Sequence, residues 1–99
     1  MILEHAILNV KAGEGTAFVT TLNEALPLIK ATPGFIRLEV KPCLENKDRY
    51  LLLVEWQTLE AHTVGFRSSG RYPRWRTLLH HFYDPSPVVE HYGDAVIEG

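Results

Sequence analysis

The chain has 99 residues, of which 45% are apolar, and a formal net charge of −2. This length predicts one domain over residues 1–99, with a tail from about residue 93. The small negative charge argues against nucleic acid or an anionic membrane as the main partner, and no apolar run is long enough to span a bilayer. Cys43 is the only cysteine, which fits a reducing cytoplasm, and the first residues do not resemble a signal peptide.

The first predicted element is a strand over "MILEHAILNV", in which alternate side chains face opposite sides. One face carries Ile2, Ala6, Leu8 and Val10, and the other carries Leu3, His5, Ile7 and Asn9. A helix with a regular apolar stripe follows the turn "KAGEG". We expect Thr16 to cap this helix and Pro27 to kink it or end it early.

Two strands follow the turn "ATPGF". The stretch "FIRLEVKPC" alternates between apolar and charged residues, and Pro42 at its end predicts an edge or a bulge. The stretch "RYLLLVEW" is apolar on both faces in its middle, which predicts a strand that is covered on both sides.

The last part of the chain predicts two helical pieces and a short strand. Thr58 is the expected cap of a segment that ends near Phe66, and a second piece ends near Phe82. The strand is "PVVEHY". The whole order of elements predicts an α+β, ferredoxin-like βαββαβ fold, with a four-stranded antiparallel sheet and both helices on one face.

The other face of such a sheet would still carry large apolar groups. We expect these to include some of Tyr50, Leu52, Val54 and Trp56. Because water would then contact a large apolar patch, the sequence predicts a twofold homodimer that packs sheet to sheet. We expect a cavity between the sheet and its helices or at the dimer seam.

The polar residues give few recognisable motifs. The five histidines lack the spacing of a metal site, so no metal is expected. Arg67, Arg71 and Arg74 would share one face of a continuous helix, where a solvated surface is favoured over an anion site. Among the aromatic residues, core packing is the favoured role of Phe66, Trp75 and Phe82.

Three other residues bring a polar group into apolar surroundings: Asn9, Trp56 and His62. In the predicted topology, the first and third strands are neighbours, and the segment that carries His62 begins just after Trp56. We therefore expect these three side chains to line one cavity. Cavities with a few convergent polar groups are the usual form of small-molecule sites.

A resemblance to a known family lies in four stretches: "PGFIRLEV", "YLLLVEWQTLEAH", "GFRSSGRYPRW" and "PVVEHY". Together they resemble the antibiotic biosynthesis monooxygenase (ABM) domain family over roughly residues 1–93. The resemblance implies a ferredoxin-like chain that forms a dimeric α+β barrel. Some members of the family oxidise polycyclic phenols and quinols with molecular oxygen and no cofactor, others degrade haem, and many have no established activity.

The antibiotic-tailoring members of this family carry a Trp after the third strand, which Trp56 resembles. Near it they have an Asn and a Tyr, where this chain has Leu52 and His62, and their helical Arg corresponds to Arg76. In the haem degraders, an Asn near the end of the first strand resembles Asn9. Their Trp and their haem-binding His are replaced here by Phe66 and Arg76, which argues against haem.

The resemblance therefore implies a cofactor-free monooxygenase acting on a small aromatic substrate and molecular oxygen. His62 would be the base, and Arg76 would stabilise the substrate anion. The expected substrate-binding residues are Asn9, Trp56, Phe66 and Tyr72. Two alternatives stay open: a non-catalytic small-molecule-binding dimer of the same fold and, with less support, a haem-degrading monooxygenase.

Overall fold

The computed structural model describes all 99 residues. Its strands are β1 (Ile2–Asn9), β2 (Phe35–Pro42), β3 (Arg49–Trp56) and β4 (Val89–Tyr92). Its helices are α1 (Gly15–Lys30) and α2 (Arg71–Leu79), accompanied by a π-helical turn (Ala61–Phe66) and a 3₁₀ turn (His80–Phe82). The strands form one antiparallel sheet in the order β2-β3-β1-β4, which confirms the predicted ferredoxin-like topology.

The sheet has an inner face, which packs against the helices, and an outer face, whose side chains stay partly exposed. The inner face of β1 and β3 is buried and consists of Glu4, Ala6, Leu8, Leu52, Val54 and Trp56. The outer face of the same strands carries the alternate residues Leu3, His5, Ile7, Asn9, Arg49, Leu51, Leu53 and Glu55. The core thus lies between one side of the two central strands and the helices.

The expectation that some of the even-numbered residues of β3 face outward is wrong. Tyr50 packs against Phe18 of α1, and the three residues that follow it on the same side, Leu52, Val54 and Trp56, are buried under the helices. Since side chains alternate along a strand, Leu51 and Leu53 take the outer positions instead. The apolar residues of the outer face are therefore different from those predicted, and charged residues such as Arg49 and Glu55 flank them.

Helix α1 differs from the prediction at both ends. It begins at Gly15, and no side chain caps it, so Thr16 lies inside the first turn. It continues past Pro27 to Lys30, because Pro27 is in the last turn, where only one intrahelical hydrogen bond is lost. The buried stripe of this helix consists of Phe18, Leu22, Ala25 and Ile29.

The segment after β3 is a π-helical turn rather than an α-helix. The hydroxyl oxygen of Thr58 accepts a hydrogen bond from the backbone N–H of Ala61 at 3.1 Å, which confirms the predicted cap. The wider turn shows in the bond from the N–H of Arg67 to the carbonyl oxygen of His62, five residues earlier. A Cβ on Gly34 would lie only 2.7 Å from the Cβ of Ala61, so this glycine lets the turn pack closely against the start of β2.

The helix is interrupted between this turn and α2, so the arginines do not form one continuous face. Arg71 donates a hydrogen bond from Nη2 to Thr32 Oγ1 at 3.3 Å, whereas Arg74 is exposed to solvent. Further along, the buried positions of α2 and the 3₁₀ turn are Trp75, Leu79 and Phe82, as the apolar stripe predicts.

The final strand completes the sheet. Strand β4 pairs with β1, so that His91 lies opposite Glu4 on the inner face and Glu90 lies opposite His5 on the outer face. Strand β2 is the other edge and ends at Pro42, as predicted. No regular structure follows Tyr92. None of the helices combines the length and the apolar character needed to cross a bilayer.

Candidate active site

A cavity of about 320 Å³ lies between the inner face of the sheet and α2. This is near the lower end of the range for small-molecule sites, about 300–1,000 Å³. Four of the predicted site residues line it, namely His62, Phe66, Tyr72 and Arg76. Its wall also contains polar groups that were not predicted to act there, including Glu4, Arg67, His80 and Tyr83.

A buried carboxylate occupies the end of the cavity near the π-helical turn. Oε1 of Glu4 accepts a hydrogen bond from the indole Nε1–H of Trp56 at 3.0 Å. The same oxygen lies 3.4 Å from Nε2 of His62. Only 4% of Glu4 and 3% of His62 is exposed, so the pair is almost completely shielded from bulk water.

His91 extends this pair toward the surface. Its Nε2 lies 2.8 Å from Nδ1 of His62, a hydrogen-bond distance for which one ring must donate and the other accept. His62 consequently has a protein group beside each ring nitrogen, with His91 at hydrogen-bond distance from Nδ1 and Glu4 in contact with Nε2. This double contact fixes the orientation of the imidazole ring inside the protein.

Burial controls the ionisation of these groups. It lowers the pKa of His62 from 6.5 to about 3, with further lowering by the nearby positive charge of Arg67 and by His91. The pKa of His91 is lowered by burial and by Arg67. Burial raises the pKa of Glu4, although the hydrogen bond from Trp56 and the charge of Arg67 oppose this rise. His62 is therefore neutral near pH 7.

One face of the His62 ring packs against an aromatic side chain. The ring of Trp56 stacks on His62 with centroids 5.1 Å apart and an angle of 18° between the planes. Trp56 is wholly buried, and its N–H is used by Glu4. Trp56 is not among the residues that line the cavity, and it contacts His62 and Glu4, which do. Phe66 and Tyr72, which pack edge to face, remain on the cavity wall.

Two cavity arginines lack a carboxylate partner. The ion pairs of the protein involve Glu39 and Asp94, and none includes Arg67 or Arg76. Glu4 instead faces His62, which is neutral. Arg67 acts on the pKa of the Glu4–His62 end, whereas the charge of Arg76 and burial lower the pKa of His80. The cavity wall is therefore rich in unpaired positive charge.

Asn9 is not part of this cavity, so the predicted convergence with His62 and Trp56 is wrong. The strand register pairs Trp56 with Ile2, at the opposite end of β1, and pairs Asn9 with Arg49. Asn9 also points to the outer face, where its Oδ1 accepts a hydrogen bond from Arg49 Nε at 3.3 Å. The correct neighbour of Trp56 on β1 is Glu4, which lies on the inner face.

The sequence analysis missed Glu4 and His91. Both were visible as polar residues at the inward positions of predicted strands, since Glu4 alternates with Ala6 and Leu8, and His91 with Val89. A carboxylate flanked by apolar residues on an inward face is costly unless it is paired. That cost is the signal by which Glu4 stands out. No group of three or more His, Cys, Asp or Glu residues is arranged to hold a metal ion.

The ferredoxin-like fold, with its cavity between sheet and helices, is shared with a known family of proteins. The family model for "Antibiotic biosynthesis monooxygenase" matches residues 1–78, and the chain belongs to this family. An uncharacterized protein of Bacillus subtilis, YczJ, is 46% identical over 95 residues, which are 96% of this chain and 100% of that protein.

Solved structures share the architecture over nearly the whole chain. A Bordetella bronchiseptica protein assigned to the antibiotic biosynthesis monooxygenases superposes with a TM-score of 0.90 at 29% identity, covering 96% of this chain and 97% of that one. SnoaB from Streptomyces nogalater, a cofactor-independent oxygenase, superposes with a TM-score of 0.81 at 12% identity, covering 98% and 97%. At that identity the likeness to SnoaB concerns the fold.

Proposed function

We propose that this protein is a cofactor-free monooxygenase that oxidises a phenolic or quinol-type small molecule with molecular oxygen. One observation carries the proposal: a largely water-shielded Glu4–His62 pair opens into a cavity of about 320 Å³ whose wall includes Phe66 and Tyr72. Membership of a family with cofactor-independent oxygenases supports it.

The substrate itself supplies the electrons in this reaction. A phenol that loses its proton becomes an electron-rich anion, which can transfer one electron to oxygen. The site must therefore accept a proton and stabilise negative charge. The Glu4–His62 pair serves the first need. Arg76, which has no carboxylate partner, serves the second, and Arg67 adds positive charge beside the pair.

Oxygen uptake tests the proposal directly. The purified protein is mixed with a panel of phenols and quinols, and the rate is compared with autoxidation in buffer alone. The His62→Ala variant should return the rate to the autoxidation level. The matched control is His81→Ala, which removes an exposed histidine outside the cavity and should retain the rate of the unaltered protein. No uptake above autoxidation with any member of the panel contradicts the function.

One observation favours the second candidate, a non-catalytic small-molecule-binding dimer. Both ring nitrogens of His62 already have protein partners, as a structural histidine would. In that case His62→Ala lowers the free energy of unfolding by about 1–3 kcal/mol, because Glu4 and His91 lose a partner. Ligand binding by the folded variant then persists, and oxygen uptake stays at background with either protein.

The proposed assembly is a homodimer through the outer face of the sheet. The support is the set of apolar side chains left partly exposed there, among them Ile7, which is 46% exposed, and Val88, which is 73% exposed. A second copy would cover this surface. A cytoplasmic location belongs to the same proposal and is supported by the single free cysteine, Cys43.

A further inference from the structure

We propose that Glu4, rather than His62, is the group that accepts the phenolic proton, and that it does so through its second carboxylate oxygen, Oε2. This inference rests on the proposed function and names the atom at which its first step occurs. His62 then acts as a positioning residue that holds the carboxylate. The two oxygens of Glu4 have different surroundings.

Oε1 is occupied and Oε2 is free. Oε1 receives the Trp56 hydrogen bond and faces His62 Nε2, whereas no protein group hydrogen-bonds or pairs with Oε2. The only sealed side-chain polar atom without a partner in the protein is Nδ1 of His5, on the outer face. Oε2 is therefore not sealed. Since Glu4 lines the cavity, this oxygen is accessible from it.

His62 has no equivalent free atom. Nδ1 lies at hydrogen-bond distance from His91, and Nε2 lies 3.4 Å from Oε1 of Glu4. Beside an ionised carboxylate, the neutral ring carries its hydrogen on Nε2 and accepts from His91 at Nδ1, so it has no lone pair left to take a proton from the substrate. The contact with His91 instead fixes the rotation of the imidazole, which directs Nε2 at Oε1. Together with the indole of Trp56, this arrangement holds one carboxylate oxygen so that the other points to the substrate.

Glu4 also has suitable electrostatic surroundings. A carboxylate whose pKa is raised by burial is a stronger base than one in water. The titratable or charged groups near it are His62 from the π-helical turn, His91 from β4 and Arg67 beyond the turn. The other titratable or charged groups of the cavity wall lie on α2, the 3₁₀ turn and the segment after it, and they are Tyr72, Arg76, His80 and Tyr83. Burial raises the pKa of Tyr83, so Tyr83 does not compete as an anion.

The chemistry balances with oxygen as the only oxidant. Oε2 takes the phenolic proton, and the phenolate passes one electron to O₂, giving a phenoxyl radical and superoxide. Their combination at a ring carbon that bears hydrogen forms a C–O bond, and the peroxide anion takes the proton back from Glu4. Glu4 then removes the C–H proton while the O–O bond breaks. Hydroxide leaves with that proton as water, so that phenol and O₂ give quinone and water.

The first test compares two glutamate variants. Glu4→Gln keeps the size of the side chain and an oxygen that can accept the Trp56 hydrogen bond, but it is a much weaker proton acceptor. We expect kcat/KM for oxygen uptake to fall by about 100-fold or more, the low end of the contribution of a general base. The matched control, Glu24→Gln on the exposed side of α1, should retain the rate.

The pH profile separates the roles of Glu4 and His62. In the unaltered protein, activity should fall as acid protonates Glu4, at a pH above its ordinary 4.5 because its pKa is raised. Glu4→Gln should remove this acidic limb. His62→Gln, whose amide can still donate to Oε1, should keep the limb, shift it and lower kcat by about tenfold. A merely structural histidine would leave the position of the limb unchanged.

A binding measurement without oxygen distinguishes failure of this inference from failure of the function. The probe is 4-nitrophenol, added anaerobically at a pH just below its own pKa. If Glu4 accepts the proton, the unaltered protein shows the absorption of bound phenolate and Glu4→Gln shows the neutral phenol. Phenolate in both proteins, or in neither, overturns the role of Glu4.

Oxygen-uptake rates test the role of Glu4 independently of the binding measurement. Oxygen uptake that is equal in Glu4→Gln and the unaltered protein, both folded by circular dichroism, overturns the inference and leaves the function standing. If the unaltered protein transfers the proton to Glu4 but consumes no oxygen, the proposed function is wrong and the role of Glu4 as proton acceptor stands. If the unaltered protein neither consumes oxygen nor binds the probe, both proposals fall.

Discussion

The two faces of the sheet differ in how fully one chain completes them. On β1, the inner residues Glu4, Ala6 and Leu8 are buried, and the polar one among them has partners on two other elements. On the outer face of the same strand, Ile7 is 46% exposed and Nδ1 of His5 is sealed without a partner. Since both faces come from one stretch of sequence, the difference shows that a single chain buries the inner face and leaves part of the outer face open, which a second copy would cover in the proposed dimer.

Removing the largest inner side chain should give the largest effect on stability. Trp56→Ala deletes a fully buried indole and the hydrogen bond to Glu4, and it should lower the free energy of unfolding by about 3–5 kcal/mol. Ile7→Ala on the outer face should cost under about 1 kcal/mol in the monomer, because the side chain is half exposed. Urea denaturation at low protein concentration measures both. Equal losses would contradict the contrast between the faces.

Acid should weaken the inner face through His62. Its pKa is near 6.5 in the unfolded chain and about 3 in the folded protein, so the unfolded state takes up its proton first. The stability that neutral His62 contributes is thus present above pH 6.5 and lost as the pH falls toward 3, by up to about 5 kcal/mol.

The variant His62→Gln isolates this acid effect. Because glutamine does not titrate, its unfolding free energy should fall less steeply over the same pH range, as followed by thermal melts at successive pH values. Glu4 opposes the trend, since its raised pKa favours the folded state in acid. Parallel pH profiles for the two proteins would show that His62 is not the source of the acid loss.

A charge on the outer face should break the proposed dimer without disturbing the cavity. Ile7→Lys should weaken association by about 100-fold, equivalent to about 2.8 kcal/mol. Sedimentation should then report the chain mass of 11.3 kDa in place of twice that mass. Val19→Lys on α1 is the control, because Val19 is 48% exposed and lies away from the sheet. An unaltered protein that sediments as a monomer removes the dimer from the proposal.

The smallest expected effect concerns the turn that carries His62. Thr58→Ala removes the hydroxyl that accepts the Ala61 N–H and should cost about 1 kcal/mol, whereas Thr58→Ser should be nearly neutral. The comparison is made by urea denaturation. If the two variants are equally destabilised, the methyl group rather than the hydroxyl secures the turn.

The topology could be predicted because the alternation of side chains in strands and the apolar stripes of helices depend only on residues that are close in the sequence. It also placed His62, Phe66, Tyr72 and Arg76 on elements that meet, and all four line the cavity. The π-helical turn was not predicted, since one additional residue in a turn leaves no clear mark on a pattern as short as Ala61–Phe66.

The site predictions that failed depend on how the strands pair with one another. Asn9 and Trp56 lie on adjacent strands, but only the register shows that they are at opposite ends of them. Glu4 and His91 become neighbours through the pairing of β1 with β4. No single strand carries that information, so a sequence pattern identifies an inward polar residue without identifying its partner.

The pairing of the first and last strands also sets an order of assembly. Leu3 pairs with Tyr92 across almost the whole chain, and such distant contacts form late and slow folding. During synthesis, the nascent chain has Glu4 and His62 available long before His91 emerges from the ribosome. The three-residue chain of Glu4, His62 and His91 can therefore form only after His91 has emerged, so a nascent chain that ends before β4 does not yet hold the carboxylate in its final orientation.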